Sequence, residues 1–152
     1  MTKCETALDL FARRVNCAQA ILAAYGPAEG LGLEDCLRLA APFGGGLGRL
    51  GETCGAVSGV LMVLGLRYGQ DAGANPQAKQ ALYDRVRDFV LRFKARNQSM
   101  VCRELLGCDI STPDGWQQVQ ARQTHVAVCP KFIRDAAEIL DEMLASRSPA
   151  SP

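Results

Sequence analysis

Hydrophobic residues recur at helical spacing along most of the chain, and two long segments show this most clearly. The segment opened by Asn75-Pro76 predicts a long amphipathic helix, and the segment after Pro130 predicts the last helix, with proline at its first position. The core-facing stripes are Leu82, Val86, Phe89, Val90 and Phe93 in the first, and Phe132, Ile133, Ala136, Ala137, Leu140, Met143 and Leu144 in the second.

The remaining hydrophobic segments are also helical in pattern. Residues 8–22 predict a helix with a break near 13–16, and residues 33–41, 102–106 and 112–123 predict shorter helices. Residues 53–68 are apolar on all sides, which is typical of a central helix, and Gly55 and Gly59 within it would let another backbone approach closely. Strand alternation is absent. We therefore expect one all-α domain over residues 1–146, a bundle of five to seven helices, followed by a frayed tail at 147–152.

Composition excludes several classes of function. The 152 residues are 48% hydrophobic and 22% charged, with a net charge of +1, so no strong field would attract nucleic acid or anionic lipid. The longest uncharged run, residues 53–66, is too short to span a bilayer, and the first residues lack a signal-peptide core. We expect a cytoplasmic protein, in which thiols stay reduced.

Seven cysteines occur, and none forms a CxxC pair. Four lie where a helix is predicted to begin: Cys17, Cys54, Cys102 and Cys129. A helix N-terminus carries about half a positive charge and unpaired N–H groups, so it stabilises a thiolate. This shared position predicts that the four cysteines form one redox-active or metal-binding centre, and that Cys129, next to Pro130, has a lowered pKa.

A glycine-rich loop precedes Cys54. Residues 43–51 contain five glycines, and a further glycine follows the cysteine directly. We expect this backbone to come close to the cysteine centre, where N–H groups could surround an anionic cofactor. The GxGxxG match at 46–51 has no preceding strand, which argues against a dinucleotide site. The candidate cofactor-binding glycines are Gly44, Gly45, Gly46 and Gly55.

The cysteine contexts resemble the C_GCAxxG_C_C family, whose members are redox-active proteins with four signature cysteines. The resemblance rests on Asn16-Cys17-Ala18-Gln19-Ala20, on Phe43-Gly44-Gly45-Gly46 leading to Cys54-Gly55-Ala56-Val57-Ser58-Gly59, on Cys102-Arg103-Glu104-Leu105-Leu106-Gly107, and on Cys129-Pro130. It extends from about residue 5 to 144. It implies a redox role for Cys17, Cys54, Cys102 and Cys129.

The chemistry of such a centre has three alternatives. The four cysteines could exchange thiols and disulfides, ligate an iron–sulfur cluster, or hold structural zinc. Missing CxxC turns disfavour zinc and leave the first two open. The expected partner is another redox protein or a small thiol, and a homodimer is compatible with the sequence. A function of another class is a non-catalytic helical interaction module whose cysteines only pack.

Five other residues have less specific signals. His125, the only histidine, lies four residues before Cys129 and is either a ligand, a proton donor or an exposed loop residue. Cys36 lies among leucines and is expected in the core, whereas Cys4 lies near the chain end. Cys108 is a candidate spare or resolving thiol for Cys102. Arg49 is a candidate anion or partner contact.

Overall fold

Helices account for nearly all the regular structure in the computed structural model, which describes residues 1–146. The predicted tail at 147–152 lies outside the described residues. Within residues 1–146 there are eight α-helices, two short 3-10 turns (Gly26–Glu29 and Ala41–Phe43) and no strand. The α-helices are α1 (Lys3–Ala12), α2 (Cys17–Tyr25), α3 (Leu33–Ala40), α4 (Gly55–Tyr68), α5 (Pro76–Asn97), α6 (Cys102–Leu106), α7 (Pro113–Arg122) and α8 (Thr124–Ala145).

The all-α, single-domain class is confirmed, and one helix more than expected is present. The extra helix arises at the break near 13–16, where the chain ends α1 and starts α2 as a separate element. Arg14 adopts a left-handed conformation there, with φ of 75°. Asn16 then caps α2, so the break is a complete interruption of the helix rather than a kink.

Helix α4 lies at the centre of the bundle, as its uniformly apolar sequence predicts. Its first six residues are all buried, and α2 packs directly against them. A Cβ added at Gly59 would lie 2.8 Å from the Cβ of Ile21 and 3.0 Å from the carbonyl of Ala18, so the two backbones are nearly in contact. No helix within residues 1–146 is long and apolar enough to cross a membrane.

Helices α5 and α8 cover α4 and contribute the two predicted stripes to the core. Phe89 and Phe93 of α5 are fully buried, with ring centroids 6.0 Å apart. On their outer faces the two helices are joined by Arg96, which lies 2.7 Å from a carboxylate oxygen of Glu138 and 3.4 Å from one of Asp135. This packing fixes the position of α8 relative to α4 and α2.

Candidate functional site

The start of α2 places Cys17 at its first helical position. The side chain of Asn16 accepts a hydrogen bond from the N–H of Gln19, and the Gln19 side chain accepts one from the N–H of Asn16. The same two side chains donate to the carbonyls of Ala41 (3.0 Å) and Leu37 (2.8 Å). This capping box therefore ties the Cys17 end of α2 to α3 and to the turn that follows it.

A short antiparallel pairing brings Cys54 and Cys102 together. Thr53 and Val101 form an isolated β-bridge, and the N–H of Cys54 donates to the carbonyl of Met100 (2.8 Å). The N–H of Cys102 donates in turn to the carbonyl of Glu52. Both cysteines are one residue beyond the bridge, so they lie on the same face of this two-strand contact. Sequence periodicity did not predict this pairing.

The predicted helix start at Pro130 is wrong. Helix α8 begins at Thr124, after Gln123 in a left-handed conformation, and Pro130 lies inside it. Cys129 is consequently in the second turn of the helix rather than at its N-terminus. Proline within a helix removes one N–H donor, here the one that would bond to the carbonyl of Val126. The three other helix-start predictions are confirmed, with Cys17 and Cys102 at first positions and Cys54 at a cap.

The structure brings the four signature cysteines into one cluster. Each of the four influences the ionisation of at least one other member, and together these interactions link every pair among them. Three of them are almost fully buried, with exposed fractions of 4%, 9% and 8% for Cys54, Cys102 and Cys129. Cys17 is half-buried and is the most exposed residue of the four.

Burial reverses the pKa shift that helix ends were expected to cause. It raises the pKa of Cys54 from an ordinary 9.0 to about 12, although the nearby backbone N–H groups of Ala56 and Val57 act to lower this pKa. Burial likewise raises the pKa of Cys102 to about 12. The loss of hydration outweighs the helix N-terminus at both positions, because a charged sulfur there would have little water around it. Both thiols therefore stay protonated at neutral pH.

The thiols of Cys17 and Cys129 interact directly with each other. This interaction, followed by burial, raises the pKa of Cys17 well above its usual range. The same interaction lowers the pKa of Cys129, against the opposing effect of burial. The direction expected for Cys129 is therefore confirmed, but its cause is the Cys17 thiol rather than a helix end. A negative charge on the pair is more stable on Cys129 than on Cys17.

The candidate glycines lie where the loop touches these cysteines. Gly46 is buried, and a Cβ added there would lie 2.6 Å from the Cβ of Cys102. A Cβ at Gly55 would lie 3.0 Å from the Cβ of Cys17, whereas one at Gly44 would overlap the side chain of Asn16. Gly45 instead packs against Arg49 of its own loop. Backbone hydrogen bonds hold the loop in place, and the absence of side chains at Gly46 and Gly55 allows close packing against the cysteines.

The remaining cysteines stay outside the cluster. Cys36 is fully buried against Gly26, where its Sγ donates to the carbonyl of Leu31 at 3.6 Å, so its predicted place in the core is confirmed. Cys4 lies in α1 and packs against the core, where burial raises its pKa. The Sγ of Cys108 donates to the carbonyl of Gly115 at 3.3 Å. Cys108 packs in a small group of apolar side chains that also includes Cys102.

Two other candidates occupy defined positions. The guanidinium of Arg49 lies over the Trp116 ring, 4.0 Å from its centroid, and so connects the glycine-rich loop to α7. His125 lies within the first turn of α8 and not in a loop before it. Its Nδ1 is buried and has no hydrogen-bond partner.

The four thiols have the right donor chemistry for zinc or an iron–sulfur cluster, but their arrangement does not fit one. No set of three or more His, Cys, Asp or Glu side chains in the described part of the chain is placed to hold a metal ion. All seven cysteines are free thiols. The iron–sulfur assignment therefore stays a prediction, which metal analysis of the purified protein tests.

Comparison with known proteins agrees with the order of the cysteines. Neither the curated proteins nor the solved structures include a match to this chain. A family model matches residues 15–143, from just before Cys17 to the last turn of α8, and its description reads "Putative redox-active protein (C_GCAxxG_C_C)". The match covers most of the chain and all four signature cysteines, while α1 and Cys4 precede it. The chain therefore belongs to the C_GCAxxG_C_C family.

Proposed function

We propose that this protein exchanges thiols and disulfides with a redox partner, and that Cys17 and Cys129 are the exchanging pair. The observation that carries the proposal is the direct interaction of two free thiols from different helices, which moves their pKa values in opposite directions. A dithiol of this kind needs one sulfur that a partner can reach and one that resolves the mixed disulfide. Cys17 is partly exposed, whereas Cys129 is almost fully buried and has the lowered pKa of the two.

The first step forms a mixed disulfide at Cys17. Its sulfur attacks one sulfur of the partner's disulfide, the partner's S–S bond breaks, and the second partner sulfur leaves as a thiolate that solvent protonates. The Cys17 proton passes to the neighbouring sulfur of Cys129, which accepts it as a thiolate. This transfer lets a thiol with a raised pKa act as the nucleophile, because its acceptor is already in contact with it.

The second step releases the partner. Cys129 loses its proton and attacks Cys17, the mixed disulfide breaks, and the remaining partner sulfur leaves as a thiol. Two electrons have then moved from the Cys17–Cys129 dithiol to the partner disulfide, which becomes two thiols. In the reverse direction Cys129 is the leaving group, and its lowered pKa favours its departure.

Cys54 and Cys102 support this chemistry by staying neutral. A thiolate at either position would place a second negative charge beside Cys129 and oppose its ionisation. Because their pKa values are about 12, they add no charge beside the pair at neutral pH. Their own oxidation is not required by the exchange.

The test is redox titration in glutathione buffers, with the oxidised peptides identified by alkylation and mass spectrometry. We expect a reversible Cys17–Cys129 disulfide in the wild type and its loss in Cys17→Ser and Cys129→Ser. Cys36→Ser, a buried cysteine outside the cluster, is the matched control and should keep the couple. Seven slowly reacting thiols with no disulfide would refute the exchange and favour a packing role. Stoichiometric iron and sulfide in anoxically purified protein would show that the protein holds an iron–sulfur cluster and does not work as a dithiol.

A further inference from the structure

The core-facing side of α8 continues past Cys129 to His125. Residues 125, 129, 133, 136 and 140 follow helical spacing, and the last four are buried in the core. Side chains four residues apart lie about 5–6 Å from one another at their Cβ atoms, and the Cys129 side chain leans back toward the turn that carries His125. The neighbouring Val126 points away and is 56% exposed. The helical register therefore places His125 one turn before Cys129 on the core-facing side of α8.

The Nδ1 atom of His125 is the single buried side-chain nitrogen or oxygen within residues 1–146 that has no hydrogen-bond partner. Buried polar atoms are normally bonded to protein or to an ordered water, so an orphaned one indicates a missing or exchangeable partner. Imidazole accepts and gives up protons near neutral pH more readily than any other side chain. A thiol one turn away is the nearest group in sequence that needs such an acceptor.

We infer that His125 removes the proton that Cys129 receives from Cys17. The inference rests on the proposed thiol–disulfide exchange, because that exchange leaves a proton on Cys129 that must depart before this sulfur can attack. Nδ1 takes the proton, directly or through one water, and the imidazolium returns it to solvent. In the reverse direction the same nitrogen protonates Cys129 after it leaves. No bond to sulfur is made or broken by His125.

The experiment follows the mixed disulfide in time. Reduced protein is mixed with glutathione disulfide, quenched with acid, and the Cys17–glutathione adduct and the Cys17–Cys129 disulfide are quantified by mass spectrometry. General acid–base groups contribute roughly 100-fold to 10,000-fold, so His125→Ala should slow the conversion of adduct to disulfide by at least about tenfold. The fraction oxidised at equilibrium should not change, and added imidazole should restore much of the rate.

Two further variants separate proton transfer from packing. His125→Gln retains hydrogen-bonding atoms but carries no proton near neutral pH, so it should be as slow as His125→Ala even if the alanine variant folds poorly. Val126→Ala, in the same turn on the opposite face, should convert the adduct at the wild-type rate. Wild-type rates in both His125 variants, or a slow rate that imidazole does not restore, would overturn the role of His125. Failure of the thiol exchange itself would appear earlier, as a wild type without a Cys17–Cys129 disulfide.

Discussion

Replacement of Gly46 by alanine tests how tightly the glycine-rich loop is packed on the cysteine cluster. The residue has a φ of +67°, and its new Cβ would lie 2.6 Å from the Cβ of Cys102 and 2.6 Å from the nitrogen of Glu52. Gly48, two residues later, has a φ of +52° but only the carbonyl of Pro42 nearby, at 3.9 Å. The two glycines share the left-handed conformation and differ in their contacts.

The structure sets the expected cost of each change. A left-handed conformation costs an L-residue roughly 1–2 kcal/mol, which applies to both variants. Overpacking adds roughly 1–3 kcal/mol at Gly46 alone, since neither Cys102 nor the Glu52 backbone is a flexible side-chain end. Gly48→Ala should therefore lose about 1–2 kcal/mol of unfolding free energy, and Gly46→Ala about 2–5 kcal/mol.

Urea denaturation followed by far-ultraviolet circular dichroism measures the difference. With a slope of about 2 kcal/mol per molar urea, the Gly46→Ala midpoint should lie roughly 0.5–1.5 M below that of Gly48→Ala. Alkylation of Cys102 in the native protein should also become faster in the Gly46 variant alone. Equal midpoints for the two variants would refute the close packing of Gly46 against Cys102.

Two other predictions follow from burial and from helix packing. The raised pKa of Cys54 means that the folded protein keeps a proton that the unfolded chain loses above about pH 9, so stability should fall as the pH rises from 9 toward 12. Cys54→Ser should reduce this fall by up to about 1.4 kcal/mol per pH unit. If the urea midpoint depends on pH in the same way in the variant and the wild type, this prediction is wrong. In α4, the new Cβ of Gly65→Ala meets no atom within 4 Å, so the higher helix propensity of alanine should raise the free energy of unfolding by about 1 kcal/mol. The new Cβ of Gly59→Ala overlaps Ile21, so this variant should be roughly 1–3 kcal/mol less stable than Gly65→Ala. A Gly59 variant as stable as the Gly65 variant would show that α2 and α4 are less closely packed.

The sequence by itself determined the class of fold and which four of the seven cysteines lie together. Periodicity is a local property, so the stripes of α5 and α8 and the apolar α4 could be identified without coordinates. The cap at Asn16 and the glycines at 55 and 59 are also local signals, and they correctly indicated where α2 begins and where it approaches α4. The order of the four cysteines was enough to indicate the family.

Only the tertiary structure decided how each cysteine ionises. The sequence placed Cys129 at a helix N-terminus because proline often opens helices, but Gln123 starts α8 and carries Cys129 into its second turn. Helix ends alone would lower the pKa of Cys54 and Cys102, yet burial raises both. Desolvation and the interaction between the Cys17 and Cys129 thiols depend on which segments meet in space, and local residue patterns carry no information about those distances.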